Sequence, residues 1–245
     1  MSQSTKLRIA SCVVVLGLLV AGGASGQDAG AIVGWGAQVV VPQSELTDLV
    51  AIAGGYGHSL SLKADGSIVA WGGNSAGQCN VPASNSGFVA IAAGGSHSLG
   101  LKADGSIMAW GNNTYGQCTV PAPNSGFIAI AAGGSHSLGL KADGSVVAWG
   151  LNDDGQCTVP APNSGFVAVA AGSGFSLGLK TDGSIVAWGD NCLGQCNVPA
   201  PNTGFVAIVA AHDRSVGVKA NGEVVSWGYP GDGAHCLPAP GPKSK

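Results

Sequence analysis

Charged residues are scarce in this 245-residue chain: they make up 9% of it, with 10 Lys and Arg against 13 Asp and Glu. The sequence contains no basic cluster. Nucleic acids and anionic membrane surfaces are bound through clustered positive charge, so the composition argues against both partners. Glycine is abundant instead, with 42 residues. Because apolar residues alternate regularly between the glycines, we interpret the glycines as turns and tight packing.

Motifs for catalysis are also missing from the sequence. It has no phosphate-binding glycine loop, no Ser–His–Asp arrangement and no Cys-x-x-Cys pair. The Asn152–Gly155 stretch lacks the spaced ligands of a calcium loop. We therefore predict that the chain is not an enzyme and uses no cofactor and no metal.

The N-terminus has the layout of a secretory signal peptide. Two basic residues precede an apolar run over residues 9–23, which ends in small residues before Gln27. A membrane anchor is the alternative, but fifteen residues at about 1.5 Å each are too short for a bilayer core of roughly 30 Å. Cys12 precedes the apolar run, which argues against a lipoprotein. We predict a signal peptide at 1–26, a repeat domain at 27–238 and a flexible tail at 239–245.

Tryptophan marks an internal repeat. Trp35 is followed after 36 residues by five tryptophans spaced 39 apart: Trp71, Trp110, Trp149, Trp188 and Trp227. Each repeat reads as four short strands, which we call A, B, C and D. In the second complete repeat they are predicted at Phe88–Gly94, His97–Lys102, Ser106–Gly111 and Cys118–Pro121. An Asp-Gly pair between B and C predicts a hairpin.

Strand A is apolar on both faces. Phe88, Ala90 and Ala92 are expected on one face, and the apolar residues that alternate with them on the other. A sheet with two apolar faces must be covered on both sides. We predict an all-β fold, a β-propeller of four-stranded antiparallel blades with five complete blades and an N-terminal half blade. A β-solenoid is the alternative, and it gives no reason for four strands and a hairpin in each repeat. Five blades and a half blade would leave strand edges open. The chain would then close as a smaller ring, pair with a second copy or be a fragment.

The stretch "GGSHSLGLKADGSVVAWGLNDDGQC", Gly133 to Cys157, resembles the repeat of the regulator-of-chromosome-condensation family. The His-Ser, Asp-Gly, Trp-Gly and Gly-Gln pairs carry the resemblance. It is closest to a short-repeat, secreted bacterial branch that includes an inhibitor of β-lactamases. The resemblance implies a propeller, usually of seven blades closed by a blade shared between the chain ends. It also implies two activities: inhibition of a secreted enzyme, or nucleotide exchange on a small GTPase, which the signal peptide disfavours.

Histidine and cysteine recur at fixed repeat positions. Phe175 and Arg214 occupy the position that is histidine at 58, 97 and 136, which favours a structural role over metal binding. Four cysteines form a ladder at 79, 118, 157 and 196. Neighbouring blades lie about 10 Å apart, too far for a disulfide, so we expect buried thiols. The sequence leaves open whether Cys192 and Cys196 form a local disulfide.

The repeats differ mainly in the A–B and C–D loops, which an antiparallel blade places on one face. The B–C and D–A turns hardly vary. Aromatic and charged residues anchor protein interfaces, so we predict a binding surface on the variable face. Its candidate residues are Tyr56, Tyr115, Leu151, Asp153, Asp154, Phe175, His212, Asp213, Arg214, Tyr229 and Asp232. The sequence thus predicts a secreted, extracellular or periplasmic propeller that binds an unidentified protein or other macromolecule.

The first prediction concerns the leader. Mass spectrometry of exported protein should find a chain that begins at Gln27, because a signal peptidase accepts the small residues before it. Exported material that retains residues 1–26 would contradict both the cleavage and the soluble form.

Overall fold

The structure, a computed structural model, describes residues 46–228. They form five antiparallel sheets of three strands each, sheets 1 to 5 in chain order. The strands, given as A, B and C of each sheet, are β1 (Leu49–Gly54), β2 (His58–Lys63) and β3 (Ile68–Gly72); β4 (Phe88–Ala93), β5 (His97–Lys102) and β6 (Ile107–Gly111); β7 (Phe127–Ala132), β8 (His136–Lys141) and β9 (Val146–Gly150); β10 (Phe166–Ala171), β11 (Phe175–Lys180) and β12 (Ile185–Gly189); β13 (Phe205–Ala211), β14 (Arg214–Lys219) and β15 (Val224–Gly228).

The all-β repeat fold is confirmed, and strands A, B and C lie within one residue of their predicted bounds. Nowhere in 46–228 is there a helix long and apolar enough to cross a membrane. The predicted signal peptide, half blade and C-terminal tail lie outside the described residues.

The B–C hairpins form as the Asp-Gly pairs predict. In sheet 2 the Lys102 amide donates to the Ser106 carbonyl at 2.8 Å, and Gly105 has a φ of 80°, which favours glycine. The Asp104 carboxylate accepts the Ser106 amide at 2.9 Å and closes the turn.

The predicted fourth strand is wrong. Segment D makes no ladder with strand C in the described part of the chain, so each sheet has three strands. Its backbone groups bond elsewhere: the Cys118 amide donates to the Asn113 side chain at 2.8 Å, and the Thr119 amide to the Gly116 carbonyl at 2.8 Å. The free edge of strand C is covered by a side chain instead, since Asn124 bonds both the amide and the carbonyl of Ile107 at 2.8 Å.

A bulge near the start of strand A changes which residues face each neighbour. The register between strands A and B shifts between Phe88 and Ala90, which makes Val89 the extra residue, and all five sheets share this shift. The alternation predicted for strand A therefore fails at its first residue. Phe88 packs together with Ile91 against sheet 1, whereas Val89 is 54% exposed.

Neighbouring sheets are joined by one interface built four times. It contains apolar residues of strands B and C of one sheet and of strands A and C of the next; between sheets 2 and 3 these are Leu99, Leu101, Ile107, Phe127, Ile130 and Trp149. The main-chain carbonyl of Gln117 then accepts two donors from sheet 3, the Trp149 indole at 2.8 Å and the Ser137 hydroxyl at 2.9 Å. The carbonyls of Gln78, Gln156 and Gln195 do the same for the other three pairs of sheets.

Replacing Trp149 by alanine should lower the free energy of unfolding by about 3–5 kcal/mol, because a large buried side chain is lost. The indole is 6% exposed, and the Gln117 carbonyl would also lose a donor. Chemical denaturation measures the change. The control is Ile128→Ala, which removes an apolar side chain that is 54% exposed and should cost under about 0.5 kcal/mol. Equal costs for the two variants would show that strand C is not part of the core.

Candidate functional site

The structure places the A–B and C–D loops at the same end of the sheets. In sheet 2 the Asn112 amide, at the start of the C–D loop, donates to the Ser96 carbonyl of the A–B loop at 2.8 Å. Sheets 3 and 4 make the corresponding bond. We call this the variable end; it comprises the A–B loops (55–57, 94–96, 133–135, 172–174 and 212–213) and the C–D loops (73–77, 112–116, 151–155 and 190–194).

The opposite end is held by a bond that recurs from sheet to sheet. Lys102 donates to the carbonyls of Ser84 and Ser86 at 2.9 and 2.5 Å, and its ammonium lies 4.1 Å from the centre of the Phe88 ring. Lys141 and Lys180 bond the carbonyls of the equivalent links. These lysines fix the D–A link to the hairpin, which explains why both turns hardly vary.

The five A strands surround a cavity of about 360 Å³ that is lined by Gly, Ala, Ile and Val residues, with Tyr56 and His212 at its mouth. Main-chain bonds tie the A–B loops around this mouth. The Tyr56 amide donates to the Gly94 carbonyl at 3.3 Å, Gly95 donates to Gly133 at 3.1 Å, and Ser173 donates to His212 at 2.7 Å. The variable end therefore presents its loops as one connected rim.

Tyr56 and His212 join the first sheet to the fifth. Their ring centres lie 5.6 Å apart at a tilt of 31°. His212 has a φ of 33°, which is strained for a non-glycine residue. Its Nδ1 lies 2.5 Å from Oδ2 of Asp213. Such a pair also occurs in hydrolases, but within 46–228 no hydroxyl or thiol bonds the other ring nitrogen.

An acidic patch lies between sheets 3 and 4. A Cβ atom at Gly174 would lie 3.5 Å from Oδ2 of Asp154 and 4.0 Å from Oδ2 of Asp190, so the two carboxylates flank one glycine. Partial burial, together with the charges of Asp190 and Asp153, raises the pKa of Asp154. The patch thus gathers negative charge on the rim.

The candidate residues divide into three groups. Tyr56 and Tyr115 are 59% and 53% exposed, and the other exposed members are Asp153, Asp154, His212 and Arg214, with Asp213 half-buried. Phe175 is 0% exposed, so its predicted place on the binding surface is wrong: the ring fills the site that histidine fills in sheets 1 to 3. Tyr229 and Asp232 lie outside the described residues.

The repeated histidines are internal. Nε2 of His97 lies 3.0 Å from Oγ of Ser137 in the next sheet. The single hydroxyl hydrogen of Ser137 goes to the Gln117 carbonyl, so Nε2 must carry a hydrogen and donate it. The bond joins two neighbouring sheets, and the predicted structural role fits this contact. Across the described ranges, no three His, Cys, Asp or Glu side chains are grouped to hold a metal ion.

Cysteine 79, 118, 157 and 196 are free thiols, and so is Cys192, which is exposed and unbridged. The Cys118 thiol donates to the Asn112 carbonyl at 3.1 Å, and Cys157 donates to Leu151 at 3.2 Å. Burial raises the pKa of Cys118, Cys157 and Cys196 to about 11. The ladder is unbridged, as the blade spacing predicts, but its thiols are half-buried and not fully buried as expected.

The buried histidines should make the fold sensitive to acid. Burial lowers the pKa of His136 from 6.5 to about 4, so the unfolded chain binds more protons between these values. The stabilisation is complete above pH 6.5 and is lost as the pH falls towards 4, by about 3 kcal/mol for each such histidine. Replacing His136 by Phe, the residue at the equivalent position 175, should reduce the loss of unfolding free energy between pH 7 and 4.5 by about 2 kcal/mol.

The reverse substitution, Phe175→His, should increase this loss. Chemical denaturation at both pH values measures each variant. An unchanged pH slope in His136→Phe would show that the ring is not buried in the neutral form.

The side-chain amide of Gln156 in sheet 3 lacks a hydrogen bond that its counterparts in sheets 2 and 4 make. In sheets 2 and 4 the equivalent glutamine donates from Nε2 to a side chain: Gln117 to Asn112 at 3.1 Å, and Gln195 to Asp190 at 2.9 Å. The third unit has Leu151 at that position, and Nε2 of Gln156 is buried with no partner. Leu151 itself is half-buried. An unpaired buried donor costs about 1–3 kcal/mol, so Leu151 occupies a position where the fold favours Asn or Asp.

Leu151→Asn should raise the free energy of unfolding by about 1 kcal/mol, because it gives the Gln156 amide an acceptor. The matched control is Asn112→Leu, which should destabilise sheet 2 by at least as much, since Asn112 also accepts the Thr114 amide at 2.9 Å. Thermal and chemical unfolding measure both. A loss of stability in Leu151→Asn would show that packing of the leucine outweighs the missing bond.

Two features escaped the sequence reasoning. Asp190 belongs to the acidic patch, but only its spatial distance to Asp154 reveals this. A set of exposed apolar residues lies at the bulge of strand A in all five sheets: Val50, Val89, Ile128, Val167 and Val206, which are 44–62% exposed. The position of the bulge, which the alternating pattern concealed, is what exposes them.

The comparisons with known proteins agree with this geometry. The regulator of chromosome condensation (RCC1) repeat matches residues 49–78, 88–117, 127–156 and 166–195. No curated protein matches the sequence. Among solved structures, the ectodomain of the Physcomitrella patens receptor kinase CR4 is 26% identical with a TM-score of 0.63, over 74% of this chain and 53% of that one. Human WBSCR16 is 22% identical (TM-score 0.60, 74% and 62%), and Prp20p of Saccharomyces cerevisiae is 20% identical (TM-score 0.55, 76% and 73%).

The chain thus spans 53% and 62% of the length of the first two structures. Four matched repeats, each built on the same hairpin and Trp–Gln bond, together with propellers as structural neighbours, lead to one conclusion. The chain belongs to the RCC1 repeat family.

Proposed function

We propose that this chain is an exported, non-enzymatic binding protein that contacts a macromolecular partner through its variable end. The observation that carries the proposal is the difference between the two ends of the sheets. Repeated lysine bonds hold one end, whereas the other carries residues that change from unit to unit, with two tyrosines more than half exposed. Exposed aromatic side chains are typical anchors of protein interfaces.

Charge indicates the kind of partner. Asp153, Asp154 and Asp190 concentrate negative charge between sheets 3 and 4. A protein surface that combines basic and apolar side chains would complement these carboxylates and the nearby tyrosine rings. Leu151 supports the same interpretation, because a residue that costs stability at the rim is typical of a site retained for contact.

The relatives add limited support. The CR4 structure is by name an ectodomain, which is compatible with export. Prp20p is named for binding to Gsp1p and histones, but at 20% identity that likeness carries the fold alone. Inhibition of a secreted enzyme such as a β-lactamase is the second candidate, and its discriminating test is a titration of the mature chain into β-lactamase during hydrolysis of a chromogenic substrate. Nucleotide exchange on a GTPase is the third, tested by release of labelled GDP.

The binding prediction has two steps. Pull-down from culture medium with the purified mature chain, followed by mass spectrometry, identifies the partner. Tyr115→Ala should then weaken its binding about 30-fold, the equivalent of losing about 2 kcal/mol, because an exposed anchor is removed. Calorimetric titration measures the affinity, and circular dichroism confirms folding.

Matched control variants lie at the opposite end of the sheets, where the B–C hairpins and the D–A links are. Ala142→Thr places in sheet 3 the residue that sheet 4 has at Thr181, and Ile128→Ser changes the exposed apolar set; both should leave affinity unchanged. A loss of binding in these variants, with Tyr115→Ala unaffected, would move the site to the opposite end. The lysines are unsuitable as controls because they hold the D–A links.

A further inference from the structure

The cavity between the A strands has polar side chains only at its mouth. Its volume is about 360 Å³, and all five sheets contribute to its walls. Apart from Tyr56 and His212, the residues that line it are all Gly, Ala, Ile or Val. An apolar cavity of about 150 Å³ already binds benzene, and at about 30 Å³ for a water-sized group this one has room for on the order of ten such groups. The walls therefore fit a slender apolar molecule.

Tyr56 extends across the mouth of the cavity. It belongs to the A–B loop of sheet 1, but its hydroxyl would lie 3.2 Å from a Cβ atom at Gly134 in sheet 3, and its ring centre lies 5.6 Å from that of His212 in sheet 5. The side chain is 59% exposed, so it is free to turn and admit a ligand. The outer end of a molecule in the cavity would thus lie beside this ring.

His212 holds a carboxylate at the same mouth. A carboxylate only accepts hydrogen bonds, so Nδ1 of His212 donates to Oδ2 of Asp213 at 2.5 Å. The Asp213 side chain is 26% exposed. The φ of 33° at His212 is strained, and strain of this kind is found mainly at functional sites. The mouth therefore combines an aromatic ring with a fixed negative charge.

The charges of the variable end favour a cation. Its described loops contain no Lys or Arg, and four aspartates: Asp153, Asp154, Asp190 and Asp213. Arg214 follows as the first residue of strand B in sheet 5. At the equivalent position in sheet 2, His97 bonds Ser137 of the next sheet, a direction that leads along the sheets and away from the cavity. An anion would be repelled at this mouth, whereas an ammonium group is attracted by the carboxylates and by the face of the tyrosine ring.

The position of the charge determines how a ligand lies. Its ammonium group stays at the mouth, and its apolar part extends between the A strands. A lysine side chain of a protein would enter in the opposite sense and place its ammonium among alanine side chains, where a charge is costly. The cavity therefore fits a free amphiphilic molecule and not the side chain of a protein partner.

We propose that the cavity is a binding site for a small alkylammonium ion, an unbranched apolar chain with a primary amine at one end. The Asp213 carboxylate and the Tyr56 ring hold the ammonium, His212 fixes the carboxylate, and the A strands enclose the chain. This inference does not rest on the proposed binding of a macromolecular partner.

Calorimetric titration of the purified mature chain with n-octylammonium, below the concentration at which it forms micelles, tests the site. Burial of each methylene group strengthens binding about fourfold, so n-octylammonium should bind on the order of 100-fold more tightly than n-butylammonium. n-Nonanoate has the same octyl chain with the opposite charge, and it should bind at least about tenfold more weakly than n-octylammonium.

Variants test the contacts of the ammonium group. Tyr56→Ala and Asp213→Asn should each weaken the binding of n-octylammonium about tenfold, whereas Tyr56→Phe, which keeps the ring, should bind it as tightly as the unchanged protein. The matched control is Tyr115→Ala, because Tyr115 is similarly exposed and does not line the cavity. It should leave the affinity for the amine unchanged, although it is expected to weaken the macromolecular partner. Circular dichroism confirms the folding of each variant.

Methyl NMR locates the alkyl chain without any substitution at the mouth. In protein labelled at its alanine methyl groups, n-octylammonium should shift the signals of Ala93, Ala132 and Ala171, which line the cavity, and leave Ala142 of the opposite hairpin unchanged. Unshifted cavity signals despite binding would overturn the proposal by placing the amine elsewhere on the acidic loops. Equal affinity for n-nonanoate, or an affinity that does not depend on chain length, would also overturn it. The absence of any binding would do the same and leave the macromolecular partner in place, since pull-down and Tyr115→Ala test that partner separately.

Discussion

One main-chain carbonyl in each repeat, that of the glutamine before segment D, joins its own sheet to the next. It accepts an indole and a hydroxyl from the following sheet, and all three groups lie where water cannot replace a lost partner. A buried carbonyl without a donor is costly, so the glutamine segment, the Ser of strand B and the Trp of strand C must be kept together. This constraint explains why these positions recur in every described unit while their neighbours change.

The same constraint separates invariant from variable positions along each repeat. The Gln bond and the Lys bonds fix the inside and one end of the sheets, which leaves the A–B and C–D loops free to vary. Even there the backbone is tied: loops of neighbouring sheets bond one another around the cavity, so side chains change on a rim of fixed shape. A rigid scaffold with variable loops is the usual arrangement of binding proteins.

Much of the fold was predictable because local patterns report local structure. The hairpin needs only Asp104 and Gly105, and the buried Trp149 follows from its regular spacing. Segment D was mistaken for a strand because "CTVP" has strand-like residues, whereas its backbone partners are Asn113 and Gly116, which the pattern does not mark. The bulge at Val89 was missed for a related reason: apolar residues on both faces of strand A leave its register without a polar marker.

By itself, the sequence determined the repeat, strands A, B and C, the buried tryptophans and the end of the sheets at which the units differ, since each of these depends on residues close together in the chain. Tertiary structure decided the rest. Phe175 and Tyr115 are both aromatic and vary between units, yet one is fully buried and the other 53% exposed, because the packing of the next sheet covers only the first. Likewise, Tyr56 lies beside His212, and Asp154 lies near Asp190, because the sheets are arranged around a common cavity. The distance between such residues in space cannot be read from their separation in the sequence.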